Sequence, residues 1–309
     1  MYAILLGFVL GIGLPIQTAV NSRLKAAAKS PLIASFLSFT TGCIALSLLL
    51  LITRPEVATV SIHQQPWWLW IGGFLGAVFL TGNVLLLSRL GSFQTVLMPI
   101  IGQVVMSMLL DNWGLFGSKL IPITVFRLLG AFLVLAGTLT IIFSSKTKNK
   151  PKVKATNHYI EWWWRLVGLI TGAFSALQTA INGHLGIVFS SSLVAAAISF
   201  SAGCLVLLLV VIIKEHSILR QLKLNDFKKL PYWAWLGGLI GAGFVLGNII
   251  IMPQLGTGLA IMVVLTGQLV GSLLLEQFGW LNVPRRSLQK NSIIGLGVIV
   301  AGIYLIKFF

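Results

Sequence analysis

Ten apolar runs, each close to the length of one membrane crossing, dominate what this chain can fold into. They cover roughly residues 3–21, 32–52, 67–87, 92–110, 122–143, 165–182, 193–213, 232–252, 258–275 and 292–308. A helix of about 20 mostly apolar residues spans a hydrocarbon core of about 30 Å. Within lipid every backbone N–H and C=O needs a protein partner, which only helices and closed barrels supply, and few of the runs alternate as barrel strands do. The expected fold is an all-α membrane protein with ten transmembrane helices. Only 9% of the 309 residues are charged, against about 25% in a soluble domain. The tryptophans gather where runs meet loops, as at Trp67, Trp68, Trp70, Trp162, Trp163 and Trp164, the depth at which amphipathic rings settle. Residues 1–20 read as a permanent span: the basic cluster Arg23, Lys25 and Lys29 follows the apolar run, whereas a signal peptide carries its charge in front.

The second constraint is an internal repeat. Gln17-Thr18-Ala19-Val20-Asn21 returns 161 positions later as Gln178-Thr179-Ala180-Ile181-Asn182, and Ser38, Phe39, Gly42 and Cys43 match Ser199, Phe200, Gly203 and Cys204. Beyond a longer polar loop in the second half the offset becomes 165. Pro66, Trp68, Trp70, Gly72, Gly73 and Gly76 then match Pro231, Trp233, Trp235, Gly237, Gly238 and Gly241, while Gly82-Asn83 matches Gly247-Asn248 and Gly102-Gln103 matches Gly267-Gln268. The expected organisation is a first five-helix repeat, 1–143, a basic linker, 144–160, and a second repeat, 161–309. The linker carries Lys146, Lys148, Lys150, Lys152 and Lys154 around Pro151, with no apolar periodicity.

Five is odd, so the second repeat must enter the membrane from the side opposite the first. The basic residues agree: 18 of the 22 Lys and Arg fall on the side of the linker, leaving Arg54, Lys119, Arg127 and Lys307 on the other. Lys and Arg accumulate in cytoplasmic loops, which predicts a cytoplasmic linker with both termini outside. The net charge of +16 therefore reads as orientation rather than nucleic-acid binding, because no polar domain presents it. Inverted repeats of this kind typify secondary transporters, whose substrates bind near the midplane between the repeats.

Polar side chains inside spans are costly and tend to face the bundle interior. Gln17 and Asn21 stand one helical turn apart on a shared face, as do Gln178 and Asn182. These pairs read either as interhelical hydrogen-bonding groups or as contacts near the two mouths of a substrate pathway. Gln103 and Gln268 fall near mid-membrane and are expected to face one another across a polar cavity. Asn83 and Asn248, each after a glycine, read as close-packing positions or further pathway residues. Asp111 and Glu276 close equivalent spans; they hold helix ends at the interface or couple transport to an ion. Arg127, near a span end, is expected to snorkel. Cys43 and Cys204 lie inside apolar runs and read as small buried residues. The histidines His63, His158, His184 and His216 read as scattered through loops, which suggests neither a metal site nor a cofactor.

The Gln-x-x-x-Asn segment, the Pro-x-Trp-x-Trp-x-Gly-Gly start of the third span and the Gly-Gln of the fourth resemble the YdcZ-type branch of the drug/metabolite transporter superfamily, in its fused-pair form. The Leu-Leu-Asp111 and Leu-Leu-Glu276 ends resemble the acidic helix end common in that superfamily. The resemblance implies a transporter of the bacterial inner membrane, an exporter, working by alternating access. The small multidrug relatives place a glutamate in the first span where this chain has Gln17, and its counterpart Gln178, which argues against drug–proton exchange by that route. The expected partners are a small-molecule substrate and the bilayer, with no nucleic acid and no oligomer required. The competing functions are a non-transporting membrane scaffold or receptor and a membrane-embedded lipid enzyme; the latter would need a nucleophile–base pair, paired carboxylates or metal ligands.

Overall fold

The computed structural model describes the chain except residues 145–157, 222–226, 229, 284, 286 and 309, and except the side chains of 83, 84, 87–89, 91–95, 144, 158, 161, 219–221 and 282. The expected linker thus lies almost wholly outside the described residues. The longer helices are α1 (Tyr2–Ala28), α2 (Pro31–Thr53), α3 (Gly72–Trp113), α4 (Val125–Ser144), α5 (His158–Val188) and α6 (Ser192–Lys214). After the short α7 (His216–Gln221) come α8 (Leu236–Leu255), α9 (Thr257–Phe278) and α10 (Lys290–Phe308). Among the described residues nine helical segments are long and apolar enough to cross a membrane, with Gly72–Gly82 a shorter tenth. Leu5, Val9, Ile44, Leu48, Ile52, Leu205, Leu209 and Ile213 stand exposed on them, a surface that lipid covers and water would not tolerate.

Local sequence signals set the ends. α1 runs seven residues past its apolar stretch, carrying Arg23 and Lys25 in helix, and stops at Lys29 with φ 57°. Ser30 then caps α2, accepting from the N–H groups of Leu32 and Ile33, with Pro31 in the first turn. The second repeat ends α5 the same way, with Ser190 at φ 52° and Ser191 capping α6 through Val194 N–H. The Pro-x-Trp-x-Trp segments, expected to open their spans as α-helix, form 3₁₀ turns at Trp67–Trp70 and Tyr232–Trp235. Proline removes the first N–H there and admits the tighter turn.

The one large departure from the expected span divisions is α3, 42 residues long. Its packing on α5 shows that it does not run straight. A methyl on Gly168 would stand 2.6 Å from Met98 Cβ and 3.6 Å from Leu86 Cδ1, although twelve residues of straight helix would separate those groups by about 18 Å. Contacts run backwards along α5 from Gly72 at Asn182 to Gly82 at Thr171, then forwards from Met98 at Gly168 to Gln103 at Ser175. The chain therefore reverses between Leu86 and Met98, and the two arms are the third and fourth spans. Their counterparts α8 and α9 do the same against α1: Gly237 meets Asn21 and Gly247 meets Leu10, after which Gly267 meets Phe8 and Gly271 meets Ile12. There the reversal sits at Gly256, whose φ of 78° suits a residue without Cβ.

Each repeat's first helix thus packs into the third and fourth spans of the other. Repeat mates meet head-on at the pseudo-two-fold axis. Phe39 and Phe200 stack with ring centroids 4.6 Å apart between α2 and α6. Across α4 and α10, a Cβ on Gly130 would stand 2.6 Å from Gly302 O, and one on Gly137 2.5 Å from Gly295 O. Both pairs run antiparallel, the geometry that inverted repeats require. Between them α9 is the most enclosed of the spans, 78% buried where α2 is 17%.

Candidate functional site

The repeated amides fall on the repeated glycines of the opposite half. Gln17 lies against Gly241 and Asn21 against Gly237; Gln178 lies against Gly76 and Asn182 against Gly72. One turn of α1 or α5 presents both amides on a single face, and the glycines remove the side chains that would hold the helices apart. The Oδ1 atoms of Asn21 and Asn182 are buried and accept no N–H or O–H among the described residues. Each faces the position where its glycine would carry a Cβ, which leaves the glycine Cα–H as the group at hand to meet the oxygen, a contact type of about 0.5–1 kcal/mol. Gly237→Ala should therefore destabilise the protein by about 1–3 kcal/mol through overpacking, read as thermal unfolding in detergent. Adding Asn21→Ala should return part of the loss; a neutral Gly237→Ala would contradict the close approach.

Gln103 lies ten residues before Trp113, and Gln268 eleven after Thr257, so each is about 15 Å from its helix end, roughly halfway along its span. Gln103 Nε2 donates to Ser175 Oγ at 3.0 Å, a bond between the two repeats. The repeat mate of Ser175 is Leu14, so Gln268 has no equivalent hydroxyl there; its backbone lies against Gly11 of α1. The described contacts thus put the two glutamines on separate, equivalent helix pairs. Asn248 is buried and its Nδ2 donates to Phe244 O one turn back in its own helix. The side chain of Asn83 lies outside the described residues.

The most concentrated polar chemistry surrounds Asp111. Its Oδ1 accepts Thr257 N–H at 2.8 Å, and its Oδ2 accepts Gly258 N–H at 2.9 Å and Arg127 Nη2 at 3.1 Å. A carboxylate from the fourth span thereby caps the N-terminus of α9, where orphan N–H groups and the helix dipole favour negative charge. Arg127 does not snorkel: it is 3% exposed, turns inward, and also donates to the carbonyls of Ile121 and Pro122. The carboxylate at the helix end and the two carbonyls of the preceding loop offer the guanidinium more than a route to water. Ser118 and Thr257 close the cluster with a hydroxyl pair at 2.7 Å. Glu276 occupies the corresponding place at the other face, the end of α9. The sequence reading missed the role of Arg127 because its repeat mate is Ser292, so symmetry gave no hint.

His184 likewise departs from the loop reading. It lies within α5, four residues before its end at Val188, its ring 5.6 Å from that of Trp68 and its imidazole against Gly117. Among the described residues no three His, Cys, Asp or Glu side chains come together as metal ligands would.

Residues 2–140 and 163–305, one stretch in each repeat, both match a family described as "Putative inner membrane exporter, YdcZ". The chain belongs to this family. No curated protein matches it in sequence. A solved structure titled only "Crystal structure of protein" superposes with a TM-score of 0.66 over 98% of this chain and 94% of its own, at 18% identity; that likeness shows a shared fold. In the YdcZ-family chain the amides Gln17, Asn21, Gln103 and Asn248 match Gln178, Asn182, Gln268 and Asn83 in the other half, and among the described residues Asp111 and Arg127 form a buried ion pair near a helix end. Such groups can bind and release a solute by exchanging hydrogen bonds.

Proposed function

We propose that the protein is a secondary carrier that exports a small neutral or zwitterionic metabolite by rocking its two repeats around a mid-membrane site. The observation that carries this reading is the Gln103–Ser175 bond. It joins opposite halves at mid-depth through groups that can equally well bond a solute. Gln268 supplies the corresponding amide from the second repeat, and Gln17, Asn21, Gln178 and Asn182 act toward the two mouths, where their helices meet the partner half. Amide and hydroxyl contacts replace a solute's hydration without a fixed charge, which favours substrates of no net charge. The same set supplies neither a nucleophile–base pair nor paired carboxylates, which supports transport over catalysis. The test is uptake into proteoliposomes from pools of radiolabelled amino acids, sugars and nucleosides. Saturable uptake of at least one pool supports a carrier; none above protein-free vesicles opposes it.

The orientation follows from the charges. A cysteine at Lys150 should be labelled from the cytoplasmic face alone, and tags at both termini from outside alone. A linker labelled from outside would place 18 of 22 basic residues on the disfavoured face and overturn the assignment.

A further inference from the structure

Apart from any transport site, the linker-side end of α5 holds a groove with the features of a bound-lipid site. It encloses about 640 Å³ and is lined by Leu97, Met98, Tyr159, Trp162, Trp163, Arg165, Leu166 and Leu169. That volume lies within the range of small-molecule sites, about 300–1,000 Å³. The lining is apolar and aromatic apart from one guanidinium, and Arg165 lies over the Trp162 ring at 5.0 Å. Tyr159, Trp162 and Trp163 are exposed, so the groove opens sideways to the bilayer. Arg165 is seven residues into α5, about 10 Å along the helix, a depth suited to a phosphate with its chains running on past Leu166 and Leu169.

We propose that this groove binds an anionic phospholipid of the leaflet on the linker side. The repeat itself gives the strongest argument. At the equivalent place on the opposite face Arg165 becomes Ile4, Leu169 becomes Phe8, Trp162 becomes Met1 and Trp163 becomes Tyr2, so the aromatic rim is partly kept and the guanidinium is lost. A scaffold built twice has therefore acquired a guanidinium at this place once, on the side that holds most of the basic residues. The sequence across 144–157 carries five lysines and no acidic residue, a composition that attracts anionic headgroups. Glu161, one turn before Arg165 in sequence, is the acidic residue of this turn. A guanidinium has five donors in a planar fork that suits a phosphate.

Native mass spectrometry of the full chain, released from detergent with equal palmitoyl-oleoyl phosphatidylglycerol and phosphatidylcholine, tests the proposal. The wild type should retain the anionic lipid over the zwitterionic one by about fivefold or more, the effect of one basic residue near an anionic headgroup. Arg165→Gln should remove most of that preference and Glu161→Gln should increase it. Leu166→Trp, which fills the groove, should lower retention of the anionic lipid even where Arg165 is intact. Equal retention of both lipids by the wild type, or an unchanged preference in Arg165→Gln with a normal melting curve, would overturn it.

Discussion

Asp111→Ala is expected to cost about 3–5 kcal/mol of stability, the range for breaking a buried ion pair from one side. Three consequences act together. Arg127, 3% exposed, would keep its charge with no carboxylate opposite. Thr257 and Gly258 would lose the acceptor that caps α9. The fourth span would lose its hold on the opposite repeat at that face. The loss should be largest for Asp111→Ala and smaller for Asp111→Asn, which keeps an acceptor oxygen. Asp111→Leu combined with Arg127→Met should recover much of it, because paired burial of charges is weakly stabilising at best and removing both removes both desolvation costs. Unfolding in mixed micelles by increasing dodecyl sulfate measures this; a loss below about 1 kcal/mol in Asp111→Ala would mean the pair is solvated.

Gln103→Leu is expected to lower transport by about tenfold or more while the protein still inserts and folds. Removing one partner of a hydrogen bond shielded from water leaves the other unsatisfied at about 1–3 kcal/mol, here the part-buried Ser175 in the resting protein and the solute in the bound one. Leucine inserts well at mid-membrane, so the amount of protein in the membrane should hold. Gln268→Leu should reduce transport too, with a smaller effect on stability because its mate position holds Leu14 rather than a serine. Transport by Gln103→Leu at the wild-type rate would remove the glutamine from the pathway.

Much of this architecture was legible in the residues. The Gln-x-x-x-Asn and Gly-Gly-x-x-Gly repeats are easy to see because each side of a close helix contact constrains the other, and the structure brings the two motifs together across the halves. The span lengths followed from hydropathy, which the bilayer enforces. What sequence could not give was set by tertiary contacts. The extension of α1 through Arg23 and Lys25 lies beyond the apolar stretch, where hydropathy carries no signal. The separation of the third and fourth spans was signalled only by the short polar stretch from Ser88 to Thr95, with Arg89 and Gly91, too brief to fix where each span ends. The inward turn of Arg127 depends on Asp111, 16 residues away, and an arginine near a span end ordinarily reaches for water. His184 read as a loop residue because the apolar run ends before α5 does.

In the proposed mechanism the two repeats rock so that mid-membrane polar groups open to each side in turn. A single cysteine at Ser175, placed in a chain carrying Cys43→Ser and Cys204→Ser, tests this without knowledge of the substrate. A small membrane-impermeant thiol reagent is applied to right-side-out and to inverted vesicles, and modification is followed by mass. Modification from both faces is expected, since the partner of Gln103 must meet water from either side as the repeats exchange. Modification from one face only, or from neither, would contradict it.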